Sequence, residues 1–186
     1  QRRKQGVDDN RAAEKVSQIP GLLRTTGTKY LSRTNKKIPY GFHCIDDSDI
    51  QAVLDVLKIG NITQGHIVED FGQALADYAG AKYGVAVSSG TAALHLSVVA
   101  LGIGSGDEVI TTPMTFCATA NAALYQGADV KFVDIDKNTL NIDPDLIEEK
   151  ITERTKAIMP VDFRGHPANL PEIRKIADKY NLKVIE

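Results

Sequence analysis

Apolar positions along the chain fall into two rhythms, one helical and one of short continuous runs. Ile38-Pro39-Tyr40-Gly41 reads as extended, because a residue before proline avoids helical angles. Asp46, Asp47 and Ser48 offer helix starts, and Ile50, Val53, Leu54 and Leu57 supply an i, i+3, i+4, i+7 stripe that Gly60 ends. After the link Asn61-Ile62-Thr63-Gln64-Gly65, Val68, Phe71, Leu75 and Tyr78 predict a second amphipathic helix that stops at Gly80.

Beyond Gly80 the rhythm alternates. Residues 85–87 form an apolar run short enough for a buried strand, and Ser88-Ser89-Gly90-Thr91 follows as a small polar turn. A helical pattern then runs through Ala92, Leu94, Leu96, Val99 and Ala100 to Gly102. A strand is predicted at 108–112, a helix-like segment at 114–126 closed by Gly127, and a strand at 130–135. Asp143 caps and Pro144 opens a helical turn leading into 146–151. A strand at 157–161, a helix capped by Asn169 with Ile173, Ile176, Ala177 and Tyr180 on one face, and a strand beginning at 182–185 complete the series. Five strand–helix alternations with short links predict an α/β fold: a mostly parallel sheet with helices on both faces. Ligands of such sheets sit beyond the carboxyl ends of the strands. Those ends carry residues 88–91, 111–116, 134–136 and 162–166.

The turn at 88–91 carries the first chemical reading. Strand, small-residue turn and helix converge free N–H groups and the positive helix end on one point. Gly90 permits close approach, and the hydroxyls of Ser88, Ser89 and Thr91 can donate to an anion. The competing reading is an ordinary N-cap, for which Ser and Thr are equally suited. Local sequence leaves both open.

Composition changes this picture little. The 186 residues are 42% hydrophobic and 25% charged, enough for one domain with a core. No apolar run approaches membrane-spanning length, so no membrane partner is expected. Cys44 and Cys117 show neither metal nor disulfide spacing, and a reducing cytoplasmic setting is expected. Charge is uneven: residues 1–37 carry 10 Lys/Arg against 3 Asp/Glu, and the remainder 12 against 21. No aromatic stacking pattern accompanies the basic leader, which argues against nucleic-acid recognition. Residues 1–37 are read as a disordered extension or one outside the native gene product. The chain begins at Gln1, has its first methionine at Met114, and stops after Val184-Ile185-Glu186, so it is read as a fragment.

Other motifs lack their context. Gly102-Ile103-Gly104-Ser105-Gly106 leaves a helix and enters a strand, the reverse of a dinucleotide fingerprint. Asp134-Ile135-Asp136 lacks the glycine and distal glutamate of a calcium loop. His43, His66, His95 and His166 have no zinc spacing, and no metal is expected.

Six segments in order, IPYG at 38–41, NITQG at 61–65, SSGTAALHL at 88–96, TTPMTFCATANAAL at 111–124, FVDIDKNTLNID at 132–143 and TKAIMPVDFRG at 155–165, resemble a known family. The chain from Ile38 to Glu186 is similar to the DegT/DnrJ-type nucleotide-sugar aminotransferases, which use pyridoxal 5′-phosphate (PLP) and have the aspartate-aminotransferase architecture, fold type I. Within the family the motifs look most like the branch that makes UDP-4-amino-4,6-dideoxy-N-acetyl-β-L-altrosamine, on the pseudaminic acid route.

The resemblance implies that residues 38–186 are the N-terminal portion of the PLP-binding large domain. It implies that Ser89, Gly90 and Thr91 hold the cofactor phosphate and that Phe116 stacks on the pyridine ring; plain core packing is the alternative for Phe116. Tyr40, Asn61, Ile62 and Thr63 match segments near the nucleotide-sugar, with a linking turn and an anchored N-terminal strand as the alternative. Asp162 is expected near the cofactor without a specific partner. The implied partners are a UDP-linked 4-keto-6-deoxy sugar, an amino-acid donor (glutamate) and a second copy of the chain. The aspartate that pairs with the pyridine nitrogen and the Schiff-base lysine are expected beyond Glu186, so no catalytic residue is present and the chain as written is expected to be inactive. A histidine in place of that lysine would indicate the family's dehydratase branch, which stays open.

Overall fold

The computed structural model describes residues 43–59 and 61–186. The basic leader, its boundary at 37/38, the extended segment at 38–41, Tyr40 and Gly60 lie outside the described residues. The chain divides into two compact units, one ending at Gly80 and the other starting at Ala81.

In the first unit, α1 (Asp47–Ile59) and α2 (His66–Ala79) form where the stripes predict them. Asp46 caps α1: its Oδ1 accepts from the Ser48 N–H at 2.8 Å, and the Asp49 carboxylate reaches back to the Asp46 N–H at 3.0 Å. That is a reciprocal capping box with aspartate at both ends. Gly80 ends α2 in the left-handed conformation, φ 65°, with its N–H on the Ala76 and Asp77 carbonyls. The residues that are buried here are small ones, Gly72 and Ala76, whereas Val68, Phe71, Leu75 and Tyr78 are exposed. The apolar stripe is thus helical in period yet uncovered among the described residues.

The second unit holds a four-stranded parallel sheet in the order β2-β1-β3-β4: β1 (Glu108–Thr111), β2 (Asp129–Phe132), β3 (Thr155–Ile158) and β4 (Lys183–Val184). Its helices are α3 (Gly90–Ala100), α4 (Ala118–Leu124) and α5 (Leu170–Tyr180). The pleat sends neighbouring residues to opposite faces. Val109, Ala157 and Met159 pack with Val98 of α3 and Ala122 and Ala123 of α4. Ile110 and Ile158 pack with Ile173, Ile176 and Ala177 of α5 and with Ile142 and Ile147. Each large aliphatic side chain removed from water contributes about 1.5–3 kcal/mol. The expected architecture, a parallel sheet sandwiched between helices, is the observed one.

Three expected elements differ from the structure, and Asn169 makes no side-chain cap bond at the start of α5. Residues 85–87 pair with no strand among the described residues, and Val85 is 79% exposed. An apolar run supplies side chains for a strand, but only a neighbour supplies its hydrogen bonds. The helix expected from Met114 starts four residues later, at Ala118. Before it, Thr112 Oγ1 accepts from the Met114 N–H at 3.4 Å and the Thr115 N–H turns back to the Pro113 carbonyl at 3.0 Å. The helix expected at 146–151 is two 3₁₀ turns, Pro144–Leu146 and Glu148–Lys150, with Asp143 accepting from the Asp145 N–H at 3.0 Å as the cap.

Candidate functional site

Ser89 occupies the N-cap of α3 and its Oγ accepts from the Ala92 N–H at 3.2 Å. Its hydroxyl proton remains free to donate, so capping and anion binding are compatible in one side chain. The N–H groups of Gly90 and Thr91 belong to the first helical turn, where no carbonyl lies one turn back to receive them. No acidic residue sits in that turn. Gly90 and Ser89 are exposed, Thr91 is half-buried, and a Cβ built on Gly90 would meet nothing within 4 Å. An open, uncharged-to-positive cradle of donors fits the phosphate of PLP.

Phe116 follows β1 on the irregular segment before α4 and is 75% exposed. Among the described residues this ring therefore packs in no core. Its carbonyl accepts from the Thr119 N–H at 3.1 Å, while Thr115 and Thr119 hydroxyls bond at 2.8 Å, which steadies the segment. The helices that follow the two candidate elements, α3 and α4, pack on each other. The Gln126 amide donates to His95 Nε2 at 2.6 Å, and the His95 and Tyr125 rings meet edge to face at 5.5 Å. Ser89, Gly90, Thr91 and Phe116 thus enter one pair of packed helices from the ends that follow an extended segment or a strand.

Other strand-end residues do structural work. Asp162 Oδ1 accepts from the Ala168 N–H at 2.8 Å, the partner that sequence did not name. Asp136 accepts from the Thr139 and Asn138 N–H groups at 2.9 and 3.0 Å, and these bonds, Thr139 first, hold its carboxyl below the ordinary range. An open cavity of about 540 Å³ lies beside it, lined by Asp136, Asn141, Asp143, His166 and Glu172. With Asp136 and Asp143 committed to turns, this acidic hollow is no place for a phosphate.

Asn61, Ile62 and Thr63 are exposed residues of the link between α1 and α2 in the first unit. Gln64 in the same link is left-handed, φ 54°. Sequence reasoning missed two participants. Asn141, which no sequence pattern singles out, is 2% exposed and bonds both Phe163 and His166. Gly65 reads as part of a link, and its missing Cβ allows a close backbone contact with Asn61. Neither contact leaves a periodic signal in the sequence.

The profile of the DegT/DnrJ/EryC1/StrS aminotransferase family matches residues 43–186. The chain is 44% identical over 156 residues to the spore coat polysaccharide biosynthesis protein SpsC of Bacillus subtilis, covering 84% of this chain and 40% of that protein. It is 42% identical over 153 residues to the UDP-4-amino-4-deoxy-L-arabinose–oxoglutarate aminotransferase of Shewanella sediminis, covering 82% and 39%. Among solved structures, NtdA from Bacillus subtilis with bound cofactor PMP superposes with a TM-score of 0.72 at 42% identity, covering 76% of this chain and 34% of that one. The chain therefore spans about two fifths of the length of the curated relatives it matches. It belongs to the DegT/DnrJ/EryC1/StrS aminotransferase family and has the fold type I architecture; of its structural neighbours, NtdA holds PMP and a sugar aminotransferase of Streptococcus pneumoniae has a PLP form.

Proposed function

We propose that the full-length protein transfers an amino group from glutamate to a UDP-linked 4-keto-6-deoxy sugar, as a step toward a nonulosonic acid such as pseudaminic acid or a related surface glycan. The observation that carries the reading is the donor cradle of α3, Ser89 with the first-turn N–H groups of Gly90 and Thr91, in a chain of an aminotransferase family. The relative named for UDP-4-amino-4-deoxy-L-arabinose and oxoglutarate supports a UDP-sugar acceptor and a glutamate donor, and the spore-coat relative supports a glycan product.

In this reading Ser89 Oγ–H and the Gly90 and Thr91 amides hold the cofactor phosphate, and Phe116 covers one face of the pyridine ring. Bound PLP supplies an electron sink next to the migrating nitrogen. The exposed Phe116 ring would exclude water from that face, which an exposed aliphatic of similar area could not do by stacking. Tyr40, Asn61, Ile62 and Thr63 contact the nucleotide-sugar. The protein acts in the cytoplasm as a homodimer; the uncovered apolar side chains of α2, Val68, Phe71 and Tyr78, support burial against further polypeptide.

The test is the full-length protein with PLP, glutamate and the 4-keto-6-deoxy derivative of UDP-N-acetylglucosamine. Stoichiometric oxoglutarate and amino-sugar formation is expected. Loss of water from the sugar without glutamate consumption would replace the reading by a dehydratase, and sedimentation of the same sample checks the dimer.

A further inference from the structure

Gly65 opens α2 at the N-cap position, where the side-chain oxygen of Ser, Thr, Asp or Asn would accept from a first-turn N–H. Here the N-cap makes no side-chain hydrogen bond. Its backbone, φ −75° and ψ 158°, is ordinary extended geometry open to every residue, so conformational freedom does not explain a glycine. Close approach does. A Cβ at Gly65 would lie 2.8 Å from the backbone oxygen of Asn61, well inside contact distance, and backbone cannot swing aside as a flexible side chain can. The left-handed Gln64, φ 54°, completes the same tight link, and the fold closes it around a cavity of about 110 Å³ lined by Val56, Asn61, Ile62, Gly65 and Ile67. Asn61, Ile62 and Thr63 stay exposed at the surface of that link.

We infer that Gly65 is a positioning residue for nucleotide-sugar specificity. By forgoing a cap it lets the chain double back onto the Asn61 carbonyl and so presents Asn61, Ile62 and Thr63 in a fixed arrangement to the UDP-sugar. The inference rests on the proposed assignment of these three residues to the sugar-nucleotide. It adds that the loop's shape, set by a residue that contacts no substrate, decides how well that ligand binds. A side chain at position 65 must push the Asn61 carbonyl away and move all three residues with it.

The test uses the full-length holoenzyme and two substitutions, Gly65→Ser and Gln64→Val. Serine supplies a cap while keeping the clash, so a purely structural role predicts altered stability with unchanged kinetics. Valine disturbs the link from its other tight residue, since β-branched side chains disfavour positive φ. The expected result for both is a rise in KM for the UDP-linked 4-keto-6-deoxy sugar on the order of 10- to 100-fold. Turnover at saturation, KM for glutamate and PLP affinity stay close to wild type while the melting temperature falls by no more than a few degrees, and the weakening is matched in a calorimetric titration with UDP alone. Unchanged KM and UDP affinity in a folded Gly65→Ser protein overturns the inference, as does a parallel loss of PLP binding in both variants. If Gly65→Ser fails to fold, the Gln64→Val row decides alone. Wild-type protein that binds no UDP defeats the substrate assignment itself, which is distinguishable because it is read before either variant.

Discussion

The Asn141 carboxamide donates to the His166 carbonyl at 2.8 Å and accepts from the Phe163 N–H at 2.9 Å. One buried side chain from the β2–β3 connection thereby fixes the turn that follows β3, including the left-handed Arg164 (φ 56°) and Gly165 (φ 77°). Replacing it by Ala strips a donor and an acceptor of their partners at once. Each group left unsatisfied costs about 1–3 kcal/mol. Asn141→Ala is therefore expected to lower unfolding stability by roughly 2–3 kcal/mol, read from the urea midpoint. A loss below about 0.5 kcal/mol, typical of surface substitutions, would show that the turn is held elsewhere.

Glu108 lies at 0% exposure at the start of β1. It accepts from Thr152 Oγ1 at 2.5 Å, pairs with Arg154, and lies 3.6 Å from Lys131. The Thr152 hydrogen bond first, then the Arg154 and Lys131 charges, hold its carboxyl below the ordinary value of 4.5 against the opposing effect of burial. A depressed carboxylate stabilises the fold fully above the unfolded-state value, and that contribution disappears as pH falls through the lower folded value. Stability should thus decline below about pH 4.5. In Glu108→Gln the acid limb of the stability curve is expected to be shallower and the neutral plateau lower, because Arg154 and Lys131 lose their buried partner. Denaturant titrations from neutral pH downward check both; superimposable acid limbs would contradict the assignment.

Gly90 offers a steric control that most glycines do not. A Cβ there meets no protein atom within 4 Å, so Gly90→Ala is expected to fold normally, to favour the helix slightly and to weaken PLP binding far less than a charged side chain does. Gly90→Asp occupies the same open space with a negative charge facing the proposed phosphate position. Its PLP affinity is expected to fall on the order of tenfold or more, by charge repulsion alone. Equal affinities for the two variants, measured by absorbance titration with PLP, would remove the cradle from the cofactor site.

Phe116 supports no core among the described residues, since it is 75% exposed. Phe116→Ala is expected to change stability of the apoprotein by less than about 0.5 kcal/mol. PLP affinity should fall by up to about tenfold, matching the roughly 0.5–1.5 kcal/mol of an aromatic stacking pair. The two measurements separate a ligand-facing ring from a packing ring: large destabilisation with unchanged cofactor binding would reverse the assignment.

Much of this was legible in the chain. The 3.6-residue stripes located α1, α2 and α5, and the alternation of apolar runs with helical segments gave a parallel sheet covered on both faces. Helix ends were readable because caps are local: Asp46 and Gly80 act through bonds to neighbours three or four residues away. The segment at 85–87 shows the limit, since its apolar pattern is that of a strand while the ladder it needs belongs to other parts of a chain.

By itself the sequence determined the family, the order of elements and the capped helix start at Ser89, because periodicity, capping and motif order are properties of contiguous residues. Only the tertiary structure decided that Phe116 faces solvent, that Asp162 is spent on the Ala168 N–H, and that Asn141 ties the turn after β3. It also decided that Gly65 is small for the sake of the Asn61 carbonyl and not for its own backbone angles. These are contacts made by folding the chain back on itself, and the distance between two atoms so joined is written in no local pattern.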